Sequence, residues 1–338
     1  MSDSIKIPLS VLDLAPVPAG ADAREAFHTS LALARQAEKL GFNRYWLAEH
    51  HYMTGIASAA SAATAVLIGY LAANTTTLHL GSGGVMLPNH SPLVIAEQYG
   101  TLESLYPGRI DLGIGRAPGT DQQTMMTLRR HMAGHIDNFP ADVQQLINWF
   151  DAEQSSPPAV QPVPGLGLKI PLWLLGSSLY SAHLAAQMGL PFAFASHFAP
   201  DLLMEALHIY REKFVPSPRL ERPYAMVCVN VVAADNENEA KFLFTSMQQQ
   251  FVNLRRGKPG PLPAPVENMD SFWSPSERYG IQNALSMSLV GDREKVRQGL
   301  ASLIRETGAD EIMINGQIFD QQARLHSFAL AMAAHPSL

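Results

Sequence analysis

Residues 108–120 read GRIDLGIGRAPGT: a short apolar strand over 110–114, then glycines and one fixed positive charge at Arg116. Gly113, Gly115 and Gly119 can take backbone conformations other residues avoid and let an anion approach the main chain. Arg116 can grip phosphate oxygens with a planar fork of donors. The segment predicts a strand that ends at a phosphate-binding turn. It is not the dinucleotide fingerprint G-x-G-x-x-G, because its third glycine comes one residue late, Pro118 intervenes, and it lies far from the first strand. Taken alone, a glycine-rich turn with a solvated arginine reads the same way.

Working outward, the strand–turn–helix unit recurs. Runs of strand type fall at 5–14, 44–48, 78–81, 110–114, 172–175, 192–195, 224–233 and 311–315. Helical patterns lie at 23–40, 59–73, 93–105, 125–150, 180–188, 202–214, 237–254, 293–307 and 321–334. Alternation of this kind builds a parallel sheet, and eight units in 338 residues predict an α/β (β/α)8 TIM barrel over 1–338 as a single domain. One helix is surplus, and the stretch 255–280, RRGKPGPLPAPVENMDSFWSPSERYG, is too rich in proline and glycine for regular structure. An insertion after strand seven, about 235–285, is therefore expected to be a lid or a disordered segment; in a lid, Phe272 and Trp273 would either cover the pocket or pin the loop. No internal repeat is visible.

Composition excludes several classes. The chain carries 24 basic and 30 acidic residues, a net charge of −6, which argues against non-specific nucleic-acid binding. Its single cysteine, Cys228, cannot form an internal disulfide and reads as a buried inert thiol mid-strand, which fits a reducing cytoplasm. The opening MSDSIKIPLSVLDLAP lacks a signal-peptide pattern, and no apolar run approaches the roughly twenty residues of a membrane span. A cytoplasmic protein with no membrane contact is expected.

In such a barrel, functional residues belong just after strands. Here Glu49, His50 and His51 follow strand two; Gly83, Gly84 and Val85 follow strand three; Gly115 and Arg116 follow strand four. Gly176, Ser177 and Ser178 follow strand five, and Ser196 and His197 follow strand six. At Gly176-Ser177-Ser178-Leu179-Tyr180, main-chain N–H and side-chain O–H groups converge at a helix start that could bind a phosphate; an ordinary serine cap is the alternative. His50, with an ordinary pKa near 6.5, can exchange a proton at working pH. A structural histidine bonded to a loop carbonyl is the other reading. Metal binding is not expected, because Glu49-His50-His51 lacks the H-E-x-x-H spacing that aligns two imidazoles.

Several motifs together resemble those of the bacterial luciferase-like flavin-dependent monooxygenases, most closely a single-component bacterial subgroup, over nearly the whole chain. They are GFNRYWLAEHH at 41–51, LGSGGVMLPNHSPLVIAEQ at 80–98, GRIDLGIGRAPG at 108–119, the GSS turn with AAQMGLP at 185–191, and VGDREKV at 290–296. The resemblance implies a TIM barrel that uses reduced FMN as co-substrate with O2. Arg116, Ser177 and Tyr180 would face the FMN phosphate, Gly83, Gly84 and Val85 would support the ring around a cis Gly83–Gly84 bond, and His50 would be catalytic. A small aldehyde- or ketone-like substrate and a separate NAD(P)H:flavin reductase follow, since the chain has no spare nicotinamide domain. Deazaflavin-dependent hydride transfer and a non-catalytic FMN-binding protein are the alternatives. Two departures stand out: Gly115 replaces the family's reactive cysteine, and Asp137-Asn138-Phe139-Pro140 replaces a second basic residue. Arg129, Arg130 and His131 are other candidate cations, or a solvated helical turn. The small-residue stretch 58–73, SAASAATAVLIGYLAA, together with the family's mode of pairing, predicts a homodimer through this helix and the helix at 93–105.

Overall fold

The structure, a computed structural model, describes residues 7–51, 62–117, 122–128, 138–153 and 158–335. Its strands are β1 (Leu9–Asp13), β2 (Arg44–Leu47), β3 (His79–Met86), β4 (Ile110–Gly115), β5 (Leu172–Gly176), β6 (Phe192–Phe194), β7 (Ala225–Ala233), β8 (Leu289–Gly291) and β9 (Glu311–Asn315). All neighbours are parallel, as βαβ crossovers require. The ring runs β1-β2-β3-β4-β5-β6-β7-β9 and closes from β9 to β1. All eight expected strands form this ring. The short β8, unread in the sequence, lies outside it and pairs only with the last residues of β7.

Eleven α-helices are described: α1 (Ala23–Leu40), α2 (Thr64–Ala72), α3 (Pro92–Leu105), α4 (Gln122–Leu128), α5 (Phe139–Asp151), α6 (Leu179–Met188), α7 (Leu203–Glu212), α8 (Glu237–Arg255), α9 (Pro275–Ala284), α10 (Arg293–Thr307) and α11 (Gln321–Ala333). Local chemistry explains α1: an Asp22–Glu25 capping box starts it, Gly41 at φ 83° ends it, and Ala26, Ser30, Leu33, Ala34 and Ala37 form its buried stripe. Two expectations need correction. The single helix at 125–150 is two, α4 and α5, with Pro140 in the first turn of α5, where a missing N–H costs nothing. The stretch 255–280 does hold regular structure, since α9 begins inside it; Ser274 accepts from the Glu277 N–H, Glu277 returns the bond, and Pro275 fills the first turn. Helix α2 begins at Thr64, and residues 59–61 of the expected helix lie outside the described ones.

Period-two alternation divides the strands between two cores. Leu9, Val11, Tyr45, Leu47, Val227, Val229, Ile312 and Ile314 face the helices. Leu12, Trp46, Trp173, Met226, Cys228 and Met313 fill the barrel. Cys228 is thus an interior packing residue, and burial pushes its thiol pKa up. Below this layer, Arg44 holds Asp111 at 2.7 Å and Glu311 at 3.2 Å and lies 5.0 Å over the Trp173 ring, while Tyr224 donates to Glu311 at 2.9 Å. Among the described residues no helix is long and apolar enough to cross a membrane.

Candidate active site at the barrel mouth

Strand β4 delivers Arg116 to the carboxyl end of the barrel, and β5 delivers the turn that meets it. The Arg116 guanidinium carbon lies 4.3 Å from the centre of the Tyr180 ring, so the loop after β4 touches the first turn of α6. A Cβ at Gly176 would come within 2.0 Å of Ser181 Oγ, so a residue without one is what lets α6 start this close to β5. Ser178 occupies the cap position of α6 in extended conformation, yet its side chain makes no cap bond. Its carbonyl instead accepts from Ser181 Oγ at 2.9 Å. The serine-cap alternative for this turn is therefore not realised, and the positive end of α6 faces the same place as Arg116. Ser177 is half-buried, whereas Arg116, Ser178 and Tyr180 are exposed. Arg129, Arg130 and His131 lie outside the described residues.

Next to this turn, β3 and β4 approach closely. The Gly83–Gly84 bond is cis, as the resemblance implies. A Cβ on Gly83 would come within 2.7 Å of Leu12 Cδ1, one on Gly84 within 2.8 Å of the Gly113 carbonyl, and one on Gly113 within 2.2 Å of the Ser82 carbonyl. The pairing slips between Ser82 and Val85. Side-chain-free backbone thus lines this wall. Val85 buries its side chain in the helix-facing core, so only its main chain can face a ring. At Gly115 a Cβ would press Met86 Sδ at 3.3 Å, so a cysteine here would crowd that side chain.

Strand β2 leads to the ionisable groups. Glu49 is buried, and its Oε1 bonds His51 Nε2 and His90 Nε2, each at 2.7 Å. Burial alone would raise its carboxyl, but those two hydrogen bonds and the nearby imidazoles outweigh it and hold the pKa below the ordinary value. The three bring ligand atoms within 4.8 Å of one another, a gathering that sequence spacing misses because His90 comes from the next loop. Both Nε2 atoms are already bonded to the carboxylate. His50 points elsewhere: its Nδ1 is buried with no partner among the described residues, so the loop-carbonyl role does not account for it. Burial drives its pKa down to about 4, against the pull of Glu49. His197, across the mouth after β6, is pushed down to about 3 by burial, and its Nδ1 is likewise unpartnered among the described residues. Both imidazoles are neutral near pH 7, which revises the expectation that His50 titrates at working pH.

The segment after α8 is held in place. Leu262 bonds Val17 and Ala19 in the loop after β1, Gln249 donates to the Ala264 carbonyl, and Arg256 pairs with Glu277. Phe272 and Trp273 pack on Met247 and Val252 of α8, Ile281 of α9 and Leu285 just after it. Of the two roles open to these aromatics, the packing supports pinning.

Comparison with known proteins agrees with this architecture. A family model described as luciferase-like monooxygenase matches residues 7–311. A luciferase-like monooxygenase of Escherichia coli K12 is 74% identical over 326 residues, covering 96% of each chain. The N-acetyl-S-alkylcysteine monooxygenase of Bacillus subtilis is 32% identical, covering 88% of this chain and 89% of its own. The oxygenating constituent of 3,6-diketocamphane monooxygenase from Pseudomonas putida, solved with FMN, superposes with a TM-score of 0.70 at 19% identity, covering 96% of each chain, and so shares the fold.

Proposed function

The chain belongs to the luciferase-like monooxygenase family and is an oxidoreductase, and from that premise we propose that it binds FMN at the β3–β5 side of the barrel mouth and oxygenates a small organic molecule. The observation that carries the reading is the meeting of Arg116, Tyr180 and the uncapped start of α6, a cationic, donor-rich turn that fits a phosphate. Arg116, Ser177, Ser178 and Tyr180 would hold the phosphate, and the backbone of Gly83, Gly84, Val85 and Gly176 would face the ring side. Bound in its reduced form, FMN supplies the electrons for activating O2 and transferring one oxygen atom to the substrate.

The remaining chemistry falls to side chains. Neutral His50 keeps one N–H and one lone pair, so its unpartnered Nδ1 can donate or accept a hydrogen bond at the reacting group. Glu49, fixed as a carboxylate by His51 and His90, supports the turn on which His50 sits. The 235–285 segment, laid past the top of β1, excludes water from the mouth. We assign the protein to the cytoplasm, with reduced flavin delivered by a separate NAD(P)H:flavin reductase. An aldehyde or ketone is the starting substrate class.

Titration tests the cofactor: FMN should bind with quenched fluorescence and a deazaflavin should bind far more weakly. With a reductase and NADH present, O2 uptake should rise above uncoupled flavin oxidation when a substrate is added. Preference for the deazaflavin, or no O2 uptake with any carbonyl compound, overturns the reading.

Assembly belongs to the same proposal. Val66 is 75% exposed and Leu105 63%, and a groove of about 370 Å³ between α1 and α2 is lined by Phe27, Val66, Leu67 and Tyr70. An apolar outer face of this kind suits a homodimer through α2 and α3. Light scattering should then return about twice 36.8 kDa; a monomer at micromolar concentration would remove it.

A further inference from the structure

Opposite the flavin side, the barrel mouth holds two amides whose orientation the hydrogen bonds fix. Asn230 follows Cys228 and Met226 in the inward alternation of β7, and Asn315 follows Met313 in that of β9. The two stand side by side in the strand register, and both are 1% exposed. In the ring order, β7 and β9 lie four strands round from β3 and β4, so the amides face the glycine wall across the mouth.

The atom assignment follows from one carbonyl. Asn230 bonds the main-chain oxygen of His197 at 2.6 Å, and only its amide nitrogen can donate there; the same nitrogen reaches Ser288 Oγ at 3.1 Å. Asn230 Oδ1 must therefore accept, and Asn315 Nδ2 donates to it at 2.8 Å. What remains is Asn315 Oδ1, an acceptor buried without a partner among the described residues. Two residues on, Gln317 is 2% exposed and its Oε1 is also unpartnered among the described residues. Buried amide oxygens are normally paired, because leaving one unpaired costs about as much as a lost hydrogen bond. Hydrocarbon lodged against this wall would leave the cost in place.

We propose that the substrate carries an N–H or O–H donor on the end lodged against β7 and β9, and that Asn315 Oδ1 accepts from it. The inference rests on the flavin reading, because that reading puts the cofactor on the facing wall. It narrows the substrate from carbonyl compounds in general to those bearing an amide N–H or a hydroxyl, and it sets alkanes, terpenes and simple aldehydes aside. A buried acceptor discriminates more strongly than an apolar pocket does, since the wrong ligand strands it.

Two matched pairs of probes test this on the FMN-loaded protein: N-cyclohexylacetamide with its N-methyl derivative, and cyclohexanol with its methyl ether, titrated by ligand-observed NMR. In wild type the donor-bearing member of at least one pair should bind fivefold or more tightly, and Asn315→Ala should bring that ratio below twofold. Ratios under fivefold for both pairs, including no binding at all, overturn the inference; so does a ratio that survives in folded Asn315→Ala. The wild-type ratios decide the matter alone if the variant does not fold. Quenching of FMN fluorescence is read in the same samples. FMN bound without donor preference overturns this inference only, whereas absence of FMN binding overturns the flavin reading.

Discussion

The two ends of the barrel treat buried polar groups in opposite ways. At the amino end, Arg44 sits between Asp111 and Glu311, Trp46 Nε1 donates to Asp111 at 3.1 Å, and Tyr224 and Asn43 donate to Glu311. Each carboxylate there is paired with the one guanidinium, although Asp111 Oδ1 and Trp173 Nε1 find no partner among the described residues. Burial would lower the Arg44 pKa, but the two carboxylates raise it. At the carboxyl end, His50, His197, Asn315 and Gln317 each leave a buried atom unpartnered among the described residues. One end closes most of its polar groups on one another as a plug, while the other leaves these four atoms unpaired among the described residues. That division is what a TIM-barrel enzyme needs: stability at the bottom and chemistry at the top.

The largest effect should come from breaking the plug. Arg44→Leu strands two fully buried carboxylates, and removing one partner of a buried ion pair costs about 3–5 kcal/mol. Denaturant unfolding should show that loss, while FMN affinity of the folded variant stays within a few fold. A loss below about 1 kcal/mol would mean that the two ends do not differ in the way described.

Arg116→Ala should do the reverse, leaving stability nearly unchanged and weakening FMN. A hydrogen bond to a charged group contributes about 1.5–3 kcal/mol, roughly ten- to a hundredfold in affinity. Riboflavin, which has no phosphate, should bind both proteins alike. Equal weakening of FMN and riboflavin would take Arg116 out of the phosphate site.

The neutral histidines sharpen the contrast through pH. Unfolded imidazoles titrate near 6.5, whereas burial lowers His50 to about 4 and His197 to about 3. Their contribution to stability is thus complete above pH 6.5 and is lost as pH falls toward the folded values. Each site should account for about 2 kcal/mol of destabilisation between pH 7 and pH 5. Replacing either with Gln should flatten the pH dependence by one histidine's share, read from urea midpoints at the two pH values. Identical slopes in wild type and both variants would place the imidazoles in water.

The sequence carried the barrel because parallel strands buried on both faces read as continuous apolar runs, and all eight ring strands were legible. Strand β8 was not, since three residues outside the ring have too little pattern to mark them. Helix α9 was hidden by the prolines before it, although Ser274-Pro275-Ser276-Glu277 spells its capping box. Arg116, the serine turn and the glycine wall were readable because each lies next to its strand in sequence. His90 reaches Glu49 from another loop, a contact no local spacing encodes. Asn230 and Asn315 were legible in principle: each continues an inward alternation, past Met226 and Cys228 on β7 and past Glu311 and Met313 on β9.

The smallest effect separates a phosphate turn from an ordinary helix start. Asp22 caps α1, accepting from the Glu25 N–H at 2.9 Å, and Asp22→Ala should cost about 1 kcal/mol. Ser178 holds the same position on α6 without the bond, so Ser178→Ala should change stability by less than about 0.5 kcal/mol. The comparison is internal, since both helices lie against the same barrel and both residues begin from extended backbone. Urea midpoints of the two variants, measured without flavin, decide it. If Ser178→Ala costs as much as Asp22→Ala, the serine caps its helix in solution, the first N–H groups of α6 are taken, and only Arg116, Ser177 and Tyr180 are left to hold the phosphate.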